Sequence, residues 1–166
     1  MPPPSSKDPA KRISICGVRF ADESPNLLLV GTTNGLVRLF DLRTQHESAR
    51  FEHTPETEAE AAYAPKNIVC FDRNSNSRVL SVGTEQHNGN VFLLFYDIRE
   101  RKQMGGYFDC HQDDVTTLRF HPQNPDILCS GSTDGLINIF DIQKVTEDDA
   151  LQSTLNTISS VHKVNW

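Results

Sequence analysis

The sequence predicts an all-β protein of radially stacked four-stranded sheets, a β-propeller present only in part. Three observations carry that expectation: an internal repeat, strand-and-turn patterning within each copy, and the lack of any sustained helical period. Displacing the chain by 100 residues lays residues 14–43 on 114–143 without a gap. Ten of those thirty positions are identical, among them Arg19/Arg119, Phe20/Phe120, Leu28/Leu128, Gly31/Gly131, Gly35/Gly135 and Asp41/Asp141. A third copy lies between them, with apolar runs at Ile68 to Phe71, Val79 to Gly83 and Val91 to Asp97. The aromatic-Asp marker falls at Asp41, Asp97 and Asp141, spacings of 56 and 44 residues. The unit is therefore about 45 residues, with an insertion in the middle copy.

In chain order, residues 1–12 read as a disordered tail, opened by three consecutive prolines. Blades follow at about 13–53, 67–109 and 114–155, and 156–166 begins another. The third copy shows the pattern best. Val115–Phe120 alternates, and His121-Pro122 closes it because proline cannot donate to a ladder. Ile127–Ser130 is an apolar run of the buried type. Thr133-Asp134-Gly135, like Thr33-Asn34-Gly35, is a tight hairpin turn expected to take positive φ at both centres. Leu136–Ile142 is the third strand. A fourth, exposed strand is expected at Ala49–Glu52 and, after a Gly105-Gly106 break, at Tyr107–Asp109. Trp166 is expected at the position of Phe20, Phe71 and Phe120.

Composition narrows the function. Sixteen Lys and Arg against 22 Asp and Glu give a net charge of −6 and a pI near 5.4. That balance argues against nucleic-acid binding, and the one basic cluster, Arg99-Glu100-Arg101-Lys102, reads as a solvated loop. The longest apolar run, Val91–Tyr96, has six residues, against about 20 for a bilayer span, so no membrane is expected as a partner. With no signal-peptide pattern at the start, the expected compartment is reducing, cytoplasm or nucleus. Cys16, Cys70, Cys110 and Cys129 contain no Cys-x-x-Cys spacing and read as buried thiols, so no metal or other cofactor is expected. His111, His121, Asp113-Asp114 and Asp148-Asp149 are acid–base residue types. None belongs to a nucleophile-elbow, phosphate-loop or zinc-protease motif, so no catalytic or metal residue is assigned.

His111–Thr116, Arg119–Pro122, Ser130–Leu136 and Phe140-Asp141 together resemble the WD-repeat family, whose blades carry Gly-His before the innermost strand and end in Trp-Asp. The resemblance covers roughly residues 13 to 166 and implies a seven-bladed scaffold without established catalytic activity. It also implies a structural hydrogen-bond chain at His111, Ser132, Asp134 and Phe140, running from His to the turn Asp and through a hydroxyl to an indole. Phenylalanine has no donor, so the outer link is expected to be missing at Phe140, as at Phe40. Lys11 and Asn34 stand where the first copy would need His and Asp.

Three blades and an opening strand do not close a ring of four to eight. The expectation is a partial sequence, or an assembly in which another copy or a partner completes the ring; exposed blade edges would favour self-association. The expected function is a non-catalytic scaffold for protein partners. Its two longest irregular stretches, Thr54–Lys66 and Glu85–Asn90, fall on one face by the topology of a meander. Glu56, Glu58, Glu60, Tyr63, Glu85 and His87 there form an acidic surface with an aromatic anchor, suited to a basic segment of a partner. On the opposite face, Phe40-Asp41-Leu42-Arg43 and Tyr96-Asp97-Ile98-Arg99 resemble the Trp-Asp-x-Arg box of WD-repeat proteins that dock on a cullin-type ubiquitin ligase. That resemblance implies the alternative of a ligase substrate receptor, with Arg43 and Arg99 as docking residues.

Overall fold

A computed structural model describes residues 12–55 and 67–166. Three antiparallel four-stranded sheets follow one another along the chain. The first contains β1 (Ile15–Phe20), β2 (Leu27–Thr32), β3 (Leu36–Asp41) and β4 (His46–Phe51). The second contains β5 (Ile68–Arg73), β6 (Val79–Thr84), β7 (Leu93–Asp97) and β8 (Lys102–Tyr107). The third contains β9 (Val115–Phe120), β10 (Ile127–Ser132), β11 (Leu136–Asp141) and β12 (Leu151–Asn156). One helical turn, α1 (Glu147–Ala150), capped by Thr146 Oγ1, occupies what the sequence presents as a charged loop. The sheets do not close on themselves, and the fold is a partial propeller.

Alternation places one face of each strand against the next sheet. Leu29, Val37, Phe51, Phe71, Leu80 and Tyr96 form the core between the first two sheets. Leu93, Phe95, Tyr107, Leu118, Leu128 and Phe140 form the core between the second and third. Each such side chain contributes about 1.5–3 kcal/mol by leaving water. Three glycines on the second strands set the approach of adjacent sheets. A Cβ on Gly31 would lie 2.5 Å from the Phe71 ring, one on Gly83 2.7 Å from Val115, and one on Gly131 2.7 Å from Val161. An apolar side chain from the segment that follows each sheet, Phe71, Val115 or Val161, fills the space each glycine leaves.

The strand register corrects four sequence expectations. First, Gly35 (φ 90°) and Gly135 (φ 86°) are left-handed, but Asn34 and Asp134 are not among the positive-φ residues. The turns are three-residue loops in which the glycine N–H donates to Thr32 O or Ser132 O at 3.2 Å. Positive φ at two adjacent centres occurs instead at Asn88 (51°) and Gly89 (83°). Second, the fourth strands start earlier than expected. Gln45 (φ 60°) and Arg101 (φ 59°) are left-handed turn residues that lead directly into β4 and β8, and Gly105-Gly106 lies inside β8 beside a bulge. Third, Cys70 pairs with Gly83 and Arg73 with Leu80, whereas Gly17 pairs with Gly31 and Phe20 with Leu28. Arg73 therefore takes the position of Phe20 and Phe120, while Phe71 matches Val18 and Leu118. Fourth, residues 160–166 form no strand. They nevertheless follow β9: Thr116 Oγ1 donates to Val161 O, and Trp166 Nε1 donates to Arg119 O at 3.1 Å.

Candidate functional site

The Asp of each aromatic-Asp marker caps a turn. Oδ1 of Asp41, Asp97 and Asp141 accepts the N–H two residues on, from Arg43 (2.9 Å), Arg99 (2.9 Å) and Gln143 (3.1 Å). This local bond accounts for the recurrence of the marker even where its aromatic partner is not Trp.

His111 enters the third sheet from the preceding linker. Its Nδ1–H donates to Asp134 Oδ2 at 3.0 Å, and its Nε2 accepts from Ser130 Oγ at 2.7 Å. Asp134 also accepts Gln112 N at 2.9 Å and Leu136 N at 2.8 Å. The hydroxyl facing the imidazole belongs to Ser130, two residues before the Ser132 expected there. Ser132 lies at the strand end beyond a register shift, where it donates to Asp113 O at 3.0 Å and accepts Asp134 N at 3.1 Å. Phe140 is fully buried and packs on Tyr107 with ring centroids 5.0 Å apart, so the polar chain stops at Ser130. Burial pushes the His111 imidazole below its usual pKa, against the pull of Asp134. Burial alone would raise Asp134, but the N–H groups of Gln112 and Leu136, with His111, outweigh it and hold the carboxyl low. The state is a neutral imidazole beside a carboxylate. Its geometry is that of a nucleophile relay, but Ser130 has no exposed surface from which to attack a substrate.

Sequence reasoning missed two polar groups. Asn138, 2% exposed, donates to Cys110 O at 2.7 Å and accepts from Thr154 Oγ1 at 2.7 Å, tying the linker to β11 and β12. A polar residue inside an apolar strand is the available signal for it. Asp72, 9% exposed, accepts Phe120 N at 2.9 Å and lies 3.5 Å from Arg19 Nε, thereby joining all three sheets. Burial raises its carboxyl pKa more than the Phe120 N–H, Arg119 and Arg19 lower it.

Of the acidic surface, Glu56, Glu58, Glu60 and Tyr63 lie outside the described residues. Glu85 and His87 belong to an extension of the β6–β7 hairpin. Asn67 Nδ2 donates to Glu85 Oε2 at 2.6 Å, Gln86 N donates to Asp114 Oδ1 at 2.7 Å, and His87 and Asn90 exchange backbone bonds of 2.8 and 3.0 Å. The loop is thus tied to the linkers on both sides. On the opposite face, Arg43 is engaged by its own Asp41, with Nη2 2.8 Å from Oδ2 and Nε 3.1 Å from Oδ1. The Arg43 hydrogen bonds bring the Asp41 carboxyl down to about 2. Arg99 is exposed, and Asp97 pairs with Arg78 at 3.5 Å instead. Among the described residues no cluster could hold a metal ion, and no helix is long and apolar enough to cross a membrane.

Stacked four-stranded meanders, glycine-seated interfaces and the His–Asp turn define a WD-repeat β-propeller. Residues 5–165 match the nucleolar protein 10-like N-terminal domain, and the chain belongs to that β-propeller family. A WD repeat-containing protein of Saccharomyces cerevisiae is 33% identical over 147 residues, covering 88% of this chain and 35% of the relative. The WD repeat-containing protein 89 homolog of Dictyostelium discoideum is 28% identical over 145 residues, 87% of this chain and 35% of the relative. The chain thus spans about a third of the length of these relatives. Human GATOR2 complex protein WDR24 is 25% identical over 149 residues, 90% of this chain and 17% of that protein. A chain in the crystal structure of a mitotic checkpoint complex superposes with a TM-score of 0.70 at 22% identity, over 93% of this chain and 41% of that one.

Proposed function

We propose that the protein is a non-catalytic interaction scaffold of the cytoplasm or nucleus, and that the face carrying the Glu85–Asn90 hairpin receives a basic segment of a protein partner. The tethered hairpin carries this reading. A loop bonded to Asn67 on one side and Asp114 on the other is ordered before it meets a partner, which lowers the entropic cost of binding. Asp109 and Asp113 are exposed on the adjoining linker and extend the negative face. That some relatives are named as members of complexes supports a protein partner. Charge reversal at Glu56, Glu58, Glu60 and Glu85 is expected to release partners retained by the tagged protein, and rising salt to do the same. Unchanged retention of every partner would refute the reading. The ligase-receptor alternative rests on Arg99, whose guanidinium has no partner among the described residues. It predicts capture of the ligase adaptor that Arg99→Ala abolishes.

A further inference from the structure

We infer a second docking surface, for an acidic segment with one large apolar anchor, in the groove between β8 and the β11–α1 connection. The fourth strands occupy equivalent seats in each sheet: Ala49 pairs with Leu39, Gly105 with Phe95, and Ser153 with Ile139. Between the first and second sheets that seat is closed. Ala49 is 9% exposed and Ile98 beyond it 8%. Between the second and third sheets it holds Gly105, around which a Cβ would meet nothing within 4 Å, and Ile142 is only half-buried. A groove of about 270 Å³ results, floored by Val79, Phe95 and Tyr107.

Its walls present apolar groups to water. Met104 is 58% exposed, and Val145 is 97% exposed. Val145 stands on a connection, residues 142–150, longer than the turns at 42–45 and 98–101. This connection is held in place because the Glu147 carboxylate accepts Phe108 N at 2.7 Å and Asp109 N at 3.2 Å. Charge determines the partner's chemistry. Among the described residues, Lys144 is the only ionic side chain lining the groove, and the adjoining hollow, which shares Met104 and Gly105, adds Arg101 and Lys102. None of these three cations has a side-chain partner among the described residues. In a chain of net charge −6, these three cations line the open rim of the apolar seat, while the Glu147 and Asp141 carboxylates lie near its Tyr107 floor. The groove is lined by none of the Glu85–Asn90 hairpin residues, so its failure leaves the preceding proposal intact.

The test uses fluorescein-labelled peptides with a central Leu, Phe or Ile flanked on each side by two Asp or Glu, titrated into the 166-residue protein. Only Met1 and Met104 are methionines, so methyl-labelled methionine reports the groove directly. At least one peptide should bind with Kd below about 1 mM and shift the Met104 methyl. Replacing the anchor by Ala should weaken binding about tenfold or more. The pair Lys102→Glu and Lys144→Glu, both on the surface, should also weaken it about tenfold, with the circular-dichroism spectrum unchanged. The inference is overturned if no peptide of the panel binds, if Met104 does not respond, or if the charge reversals have no effect.

Discussion

Replacing His111 by Ala removes a side chain that joins the linker, the β10–β11 turn and β10. Ser130, which has no exposed surface, then loses its acceptor, and Asp134 loses one of its three donors. An unsatisfied buried hydroxyl costs about 1–3 kcal/mol, and the vacated imidazole volume adds about 2 kcal/mol. The sum, about 3–5 kcal/mol, is a large part of the roughly 5–15 kcal/mol that holds a domain folded. Urea unfolding followed by far-UV circular dichroism and by the single Trp166 measures it. The effect should also depend on pH. The folded imidazole has a lowered pKa, whereas the unfolded one titrates near 6.5. Below about pH 6.5 the unfolded chain therefore binds the extra proton. The stability that the neutral histidine provides is complete above that pH and declines as pH falls toward the folded pKa, by at most about 1.4 kcal/mol per pH unit. The raised pKa of Asp72 tilts stability the opposite way, but it is common to both proteins and cancels in their difference. The gap between parent and His111→Ala should thus narrow from about pH 7.5 to about pH 5.5. A cost below about 1 kcal/mol, or a gap that widens on acidification, would refute the reasoning.

Asp72→Ala should cost about 2–4 kcal/mol because the Phe120 N–H loses its buried acceptor, while Asp72→Asn, which retains an acceptor and removes a buried charge, should stay within about 1 kcal/mol of the parent in the same unfolding assay. Gly31→Ala forces a methyl into the Phe71 ring and should cost about 1–3 kcal/mol, more than Gly89→Ala, where φ is +83° but the surroundings are open; a reversed order of unfolding midpoints would contradict the glycine-seat account. Val18 (43% exposed) and Phe20 (51%) on the first sheet, with Leu155 (60%) on the third, should drive self-association to a light-scattering mass above 18.7 kDa, and Val18→Asp with Phe20→Asp should reduce that mass.

Much of this fold is legible in the sequence because its repeat is written in apolar residues and glycines whose spacing the strands enforce. Leu128 pairs with Phe120 and Phe140 just as Leu28 pairs with Phe20 and Phe40, so the 100-residue displacement reproduces the register residue by residue. The fourth strands start earlier than the sequence suggests because their entry turns place Gln45 and Arg101, not glycine, in the left-handed region. At the His–Asp site the expected hydroxyl, Ser132, stands two residues from Ser130, which meets the imidazole. Ser130 and Ser132 are both serines on the same strand, and only the register shift between Gly131 and Ser132 decides which hydroxyl meets the imidazole. The groove beside β8 was hidden for the opposite reason. Gly105 looks like a strand break until Ala49 in the same seat shows that it is an open position in an otherwise filled interface.

The middle sheet differs from its neighbours in a way that follows from charge rather than shape. Register places Arg19, Asp72 and Arg119 at one equivalent position on the three innermost strands, directed toward the following sheet. Two arginines, each followed by a phenylalanine, therefore flank a carboxylate. Arg19 approaches Asp72 at 3.5 Å, and Asp72 in turn accepts the Phe120 N–H beside Arg119. An arginine at position 72 would set three guanidiniums side by side in partly buried ground and leave the Phe120 N–H unbonded, each an unfavourable term. Chain connectivity sets the order of the sheets, and the alternation of charge at this position makes the contact between each pair of them favourable.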